Sequence, residues 1–278
     1  DVNLKALIYQ KCSLFFIAIN QVDDAILFLN KSLDITPKNT SALLNKGFVL
    51  EKIDELEESN EIYDELLEIE PNNFYALNNN AYNLLRLGKL DLAKKLIEKC
   101  LDLNPTFILA IKNKVKILKA MRLIDDAILF LDNNKNSFEK STDLMILQVD
   151  LWIDKLDLKK AFDLNEEILK RDHNNVSALN NKGVIYERNA RFQFPEKYFQ
   201  KSLEVFEDLV KIDINSTYGL ANKSLLLSTL GKKDDAEKLI EFAYNLFPKS
   251  DLILNRKGVF LLNNNEPRKA LKYFNSSL

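Results

Sequence analysis

One histidine, two cysteines, one tryptophan, six glycines and six prolines are few for 278 residues, and each scarcity excludes something. A single histidine, His173, leaves histidine-based catalytic triads one candidate and histidine metal clusters none. Cys12 and Cys100 are too few for a disulfide framework and lack metal-site spacing, so reduced thiols in a cytosolic protein are expected. Scarce Gly and Pro argue against many short strands, which need frequent turns, and favour helices. Lys plus Arg is 39 against 41 for Asp plus Glu, a net charge of −2, so there is neither a basic footprint for nucleic acid nor an acidic tail. No uninterrupted apolar run is long enough to cross a bilayer, so no membrane partner is expected. SLFFIAI (13–19) looks like the core of a signal peptide, but Asp23 and Asp24 follow where a small-residue cleavage site should stand. The chain opens on Asp1 rather than Met, so a leading segment, targeting or otherwise, can be missing from it.

What is present is a period. ALLNKGFVL (42–50) returns as ALNNKGVIY (178–186), and Pro37, Pro71 and Pro105 are 34 residues apart. With proline at position 32 of a 34-residue unit, units start near 6, 40, 74, 108, 142, 176, 217 and 251. Position 8 then reads Ser13, Gly47, Ala81, Val115, Val149, Gly183, Ser224 and Gly258. Position 20 reads Ala25, Ser59, Ala93, Ala127, Ala161, Ser202, Ala236 and Ala270. Small side chains at two fixed points let two antiparallel helices approach closely, while larger residues fill the grooves around them. Position 4 (Tyr9, Leu43, Leu77, Ile111, Met145, Leu179, Leu220, Leu254) and position 24 (Leu29, Tyr63, Ile97, Leu131, Asn165, Phe206, Ile240, Phe274) supply that filling. Apolar residues at 4, 8 and 11, and at 20, 24 and 27, each share one helical face. Each unit is therefore helix A, a turn such as RLGKLD (86–91) or TLGKKD (229–234), and helix B, stopped by proline.

Thirty-four residues, small side chains at 8 and 20, aliphatic or aromatic residues at 4, 11 and 24, and proline at 32 resemble the tetratricopeptide repeat family, over nearly the whole chain. The resemblance implies an all-α right-handed superhelix of eight antiparallel helix pairs, the eighth unit truncated. The family's usual tryptophan at position 4 is absent; Trp152 stands at position 11. Three units depart from the pattern. In the fourth, DNNKNSFEKST (132–142) reads as a frayed helix end or long turn, with Glu139 where proline is usual, and is the candidate subdomain boundary near 132–142. In the fifth, His173 replaces the proline in RDHNN. The sixth carries seven extra residues between Ala190 and Ser202; seven residues are two helical turns, so the pair can lengthen without losing its apolar face. Pro195 suits the first turn of the lengthened helix. The aromatics Phe192, Phe194, Tyr198 and Phe199 there either anchor a partner or pack inward, and inward packing is the expectation.

Catalytic chemistry finds no foothold. His173 reads as a substitute for a turn proline, and no nucleophile elbow, Walker loop, dinucleotide fingerprint or metal-binding His-Glu helix appears. Asp23/Asp24, Glu57/Glu58 and Asp234/Asp235 precede or open helix B, where the helix dipole favours acids. Cys12 and Cys100 read as small core residues. No catalytic residue, metal ligand or cofactor is expected.

Binding is the better prospect. Stacked repeats set helices A side by side, and the resemblance implies a concave wall lined by positions 2, 5, 6, 9, 12 and 13. Position 6 carries Asn45, Asn79, Asn113, Asn181 and Asn222. Carboxamides offer a donor and an acceptor together, matching an extended peptide backbone, and asparagine ladders hold peptides in some family members; asparagine at this position can equally pad the helix. Lys112, Lys116 and Lys119 share one helical face, with Tyr82 and Arg86 expected alongside and Asp143, Asp150 and Asp154 of the fifth unit opposite, a pattern suited to a ligand of mixed charge. The family's carboxylate clamp for acidic C-terminal tails is not met: Asn222 and Arg256 fit, but Asn180, Val184 and Leu252 stand where Lys, Asn and Lys are needed. The expected function is a non-catalytic, cytoplasmic scaffold binding a protein or peptide in the groove. Self-assembly into a homo-oligomer and, less favoured because no basic stripe is present, single-stranded RNA binding are the alternatives.

Overall fold

The computed structural model describes residues 2–134, 141–192 and 194–277. Among these residues every regular element is a helix, and none of the helices is long and apolar enough to cross a membrane. The chain divides into two compact units, Asp1–Phe138 and Glu139–Leu278. The first contains α1 (Val2–Ala18), α2 (Val22–Ile35), α3 (Thr40–Lys52), α4 (Leu56–Ile69), α5 (Phe74–Arg86), α6 (Leu90–Leu103), α7 (Ile108–Ala120) and α8 (Ile124–Asn133). The second contains α9 (Thr142–Asp154), α10 (Leu158–Arg171), α11 (Val176–Ala190), α12 (Pro195–Ile212), α13 (Thr217–Thr229), α14 (Lys233–Leu246), α15 (Asp251–Asn263) and α16 (Pro267–Ser276). Odd-numbered helices are the helices A of the count and even-numbered ones the helices B. Within each unit a helix A packs on its own helix B, on the preceding helix B and, from α3 to α7 and from α9 to α15, on the neighbouring helix A. Most of the long turn expected at 132–142, including the position of Glu139, lies outside the described residues.

What closes each pair is a trade of volume between positions 8 and 24. A Cβ built on Gly47 would stand 2.5 Å from Cε1 of Tyr63; on Gly183, 2.5 Å from Cε1 of Phe206; on Gly258, 2.5 Å from Cε1 of Phe274. Each glycine thus faces the aromatic at position 24 of its own repeat. Where position 8 holds Ala81 or Ser224, position 24 is the smaller Ile97 or Ile240; of the two valines, Val149 meets Asn165 while Val115 meets Leu131. Interiors are packed to crystal density, so a methyl added on one side must be removed on the other. The small residues at position 20 complete the crossing. Ser59 Oγ donates to the Gly47 carbonyl at 2.7 Å and Ser202 Oγ to the Gly183 carbonyl at 2.8 Å, reaching the opposite backbone because no side chain intervenes. Asn165, polar at an apolar position, is fully buried and donates through Nδ2 to the Ala178 carbonyl of the next repeat at 3.0 Å.

Turn chemistry is equally periodic. The residue at position 15 is left-handed in seven repeats: Asn20, Asp54, Gly88, Arg122, Leu156, Gly231 and Asn265. Asn, Asp and Gly suit that region, whereas Arg122 and Leu156 carry the steric cost of a Cβ there. At the other end of the pair, Asn39, Asn73 and Asn175 accept from the amides of Ala42, Ala76 and Ala178, and Ser216 from that of Gly219, each capping a helix A. His173 is exposed in the corresponding turn after α10.

The seven extra residues of the sixth repeat are shared between its two helices. α11 is two residues longer than α3 and α12 four residues longer than α4, with one left for the turn, where Phe194 is left-handed at φ 45°. Pro195 opens α12 as its first helical residue. The aromatics there divide. Phe199 packs on the core around Leu203 and Phe206, and the Tyr198 ring centroid lies 6.1 Å from that of Tyr186. Phe192 and Phe194 are exposed, contrary to the inward expectation, because the left-handed turn carries them beyond the core that Phe199 reaches.

Trp152, on α9, reports on unfolding of the second unit and gives two expected results. Gly183→Ala lowers stability by about 1–3 kcal/mol, although alanine is ordinarily the better helix former. In the Phe206→Ile background, which restores the Ala81–Ile97 combination, the same change costs far less; an equal cost in both backgrounds contradicts the volume trade. Leu156→Gly raises stability by about 0.5–1 kcal/mol, relief of the left-handed strain less the extra chain entropy; Leu156 is half-exposed, so little packing is lost. A loss of stability would refute that reading.

Candidate peptide-binding face

In the first unit the helices A are held together by side chains that reach from one repeat to the next. Asn80 Nδ2 on α5 donates to Asp64 Oδ1 on α4 at 2.7 Å, and Lys114 Nζ on α7 lies 3.6 Å from Glu98 Oε1 on α6. The second unit repeats the device with Lys182–Glu166 at 2.8 Å, Lys223–Glu207 at 4.0 Å and Lys257–Glu241 at 2.8 Å. These are position 7 of one repeat and position 25 of the repeat before. Sequence reading passed over them, although lysine recurs at position 7 and Asp or Glu at position 25. Lys257 is almost wholly buried, between the Tyr244 and Tyr273 rings. Burial alone depresses its pKa, but hydrogen bonds to Glu241 and the Tyr273 hydroxyl, with the Glu241 charge, outweigh it and hold the ammonium above its ordinary range.

The position-6 asparagines are drawn into the same stacking. Asn113 is buried and donates through Nδ2 to Asn78 Oδ1 at 2.9 Å. Asn79 donates to the Tyr63 hydroxyl at 3.2 Å and accepts from Asn78 Nδ2 at 3.0 Å. Burial against this network raises the Tyr63 pKa, an effect the Asn79 hydrogen bond opposes. In the second unit Asn222 donates to Asn180 Oδ1 at 2.9 Å and accepts from Arg256 Nη2 at 3.4 Å. Asn181 is 6% exposed, and its Nδ2 has no partner among the described residues. Asn45 is half-buried, on the same face of α3. The expected ladder is therefore two groups, Asn45, Asn79 and Asn113 in the first unit and Asn181 and Asn222 in the second. Asn113 and Asn222 both bond to position 5 of the preceding repeat.

Position 9 is what the first unit turns outward. Leu14, Phe48 and Lys116 are exposed and Tyr82 is half-buried, one from each helix A. Lys116 Nζ stands 5.3 Å from the Tyr82 ring centroid, and Lys52 Nζ 5.0 Å from that of Phe48. Partial desolvation of its ammonium, then the like charge of Lys112, lower the Lys116 pKa. Lys112 is half-buried and Lys119 exposed on the same helix. Arg86 pairs with Asp54 of the preceding repeat. Glu51, half-buried beside them, has its pKa raised by burial, an effect the Arg86 and Lys52 charges partly offset. Tyr82, Arg86, Lys116 and Glu51 are thus brought together on adjoining helices. Asp143, Asp150 and Asp154 lie on α9, in the second unit.

Comparison with known proteins agrees with this architecture. A model of the tetratricopeptide repeat matches residues 40–73 and 75–107. Among curated protein sequences none matches the chain. Among solved structures, a tetratricopeptide repeat protein from Parabacteroides merdae shares 16% identity at a TM-score of 0.55, over 99% of this chain and 92% of its own. Yeast Tom70 shares 17% at a TM-score of 0.66, over 100% of this chain and 55% of its own, so this chain spans about half of Tom70. The human IFIT1 dimer with PPP-AAAA shares 14% at a TM-score of 0.63, over 97% of this chain and 68% of its own. At such identities the likeness is one of fold. Residues 40–73 and 75–107 thus match the tetratricopeptide repeat directly, and over its whole length the chain has the fold of tetratricopeptide repeat proteins, the same helix pair recurring along it.

Proposed function

We propose that this chain is a non-catalytic scaffold that binds an extended peptide or protein segment along the outward face of α1, α3, α5 and α7. The observation that carries this reading is the row Leu14, Phe48, Tyr82 and Lys116, in which an apolar surface gives way to a cation along four successive helices A. Aromatic rings on rigid helices give contact area at low entropic cost, and the lysines reward an acidic group placed among them. With Asn79 and Asn113 hydrogen-bonded within the chain, recognition rests more on Phe48, Tyr82, Arg86, Lys112, Lys116 and Lys119, and Asn45 is the carboxamide best placed to meet a peptide backbone. In the second unit Asn181 and Asn222 take the same place on the helices. His173 is exposed in the turn after α10, and the reading gives it no catalytic role. Two free thiols suit a reducing compartment such as the cytosol.

The IFIT1 structure with PPP-AAAA keeps single-stranded RNA in view as a ligand class. A net charge of −2 favours a peptide instead, since RNA binding draws its affinity from cations set against phosphates.

A peptide selected from a random library on the purified chain provides the test. Phe48→Asp and Lys116→Glu, each with an unchanged unfolding midpoint, are expected to weaken its binding by about tenfold or more. Full affinity in both variants would place the ligand elsewhere and overturn the reading.

A further inference from the structure

A second recognition feature lies in the turn between α4 and α5. Residues 70–75 line a cavity of about 530 Å³: Glu70, Pro71, Asn72, Asn73, Phe74 and Tyr75. Its carboxylate is held at both oxygens. Thr40 Oγ1 donates to Glu70 Oε1 at 2.7 Å and Asn73 Nδ2 to Oε2 at 2.8 Å, and these bonds hold the carboxyl below its usual pKa. Each oxygen keeps a lone pair for a further donor. The aromatic wall is braced from behind. Phe107 meets Phe74 at 5.2 Å and Tyr75 at 5.6 Å between ring centroids, both edge to face, and leaves Tyr75 half-exposed.

Phe107 stands at the N-cap of α7, where it makes no side-chain cap bond, while Asn39, Asn73 and Asn175 cap α3, α5 and α11. Forgoing such a cap typically costs about 1 kcal/mol. A residue that breaks a local rule at the surface, and whose contacts serve to fix a half-exposed ring, points to a use for that ring.

We infer that this notch binds a cationic side chain, arginine or lysine, of a partner protein, with Glu70 as counter-ion and the Tyr75 face as the cation–π surface. The charge around it is of the matching sign. α4 carries Glu57, Glu58, Glu61, Asp64, Glu65 and Glu68 and no Lys or Arg, so an approaching cation meets only acids on that helix. Tyr75 stands at position 2 of its repeat, two turns before Tyr82 on the same face of α5, but the notch is built on Glu70 and does not require the peptide-binding reading.

The test is titration of the full chain with N-acetyl-arginine amide, followed by NMR at the amides of Glu70 and residues 72–75, with N-acetyl-citrulline amide as the neutral analogue. Saturable shifts there with the arginine compound, several-fold weaker for citrulline, are expected. Glu70→Gln should abolish the difference between the two compounds, and Tyr75→Leu should weaken arginine binding about threefold, as an exposed cation–π contact does. Glu65→Gln/Glu68→Gln removes two nearby charges while leaving the notch intact and should change binding less than twofold. Equal shifts with both compounds, or a loss as large in the Glu65/Glu68 variant as in Glu70→Gln, would overturn the assignment.

Discussion

The contact between position 8 of a helix A and position 24 of its own helix B governs the rest of the structure. Gly47 against Tyr63, Gly183 against Phe206 and Gly258 against Phe274 leave no room for a single added carbon. The pairs built on Ala, Ser or Val close over Leu, Ile or Asn in place of an aromatic ring. Because the fully buried Tyr63 and Phe206 rings cannot move aside, the distance between the helices of those pairs is set by volume. Serine at position 20 exploits that distance, since its hydroxyl reaches the facing carbonyl only where the backbones are close.

Stacking of one repeat on the next uses different chemistry. Apolar burial supplies most of the driving force, as at Ala42, Ala76, Ala110 and Ala178, all fully buried at position 3. The polar contacts select the register: Lys114, Lys182, Lys223, Lys257 and Asn80 each meet an acid one repeat earlier, and Asn113 and Asn222 clasp position 5 of their neighbour. A lysine as enclosed as Lys257 would be costly without Glu241, so its pair is better understood as fixing alignment than as a source of net stability. The carboxamides that look like a ladder for a ligand are, at Asn113 and Asn222, part of this alignment.

The architecture was legible because volume and turn geometry repeat every 34 residues, and a count of small residues finds them. The glycine–aromatic exchange was visible in the same columns but needed the structure to show which column answers which. The candidate site was legible only as a surface. Periodicity places Asn79 and Asn113 on the right face of the helix, yet says nothing of Tyr63 or Asn78, which occupy them. Phe192 and Phe194 escaped for a related reason: a pattern of apolar residues cannot foresee that the chain turns left-handed at Phe194 and stops carrying them inward. Glu70 and Tyr75 drew no notice because their meaning depends on Phe107, more than thirty residues away and packed against them by the stacking.

Native-state amide hydrogen exchange on the full chain tests the central claim most directly. If the position 8–24 contact is the closure of each pair, the slowest amides in each unit will be those at its crossing, residues 46–50 and 59–63 around Gly47 and Tyr63, and 182–186 and 202–206 around Gly183 and Phe206. Slowest exchange at the helix ends, with these segments no better protected than the turns, would contradict it.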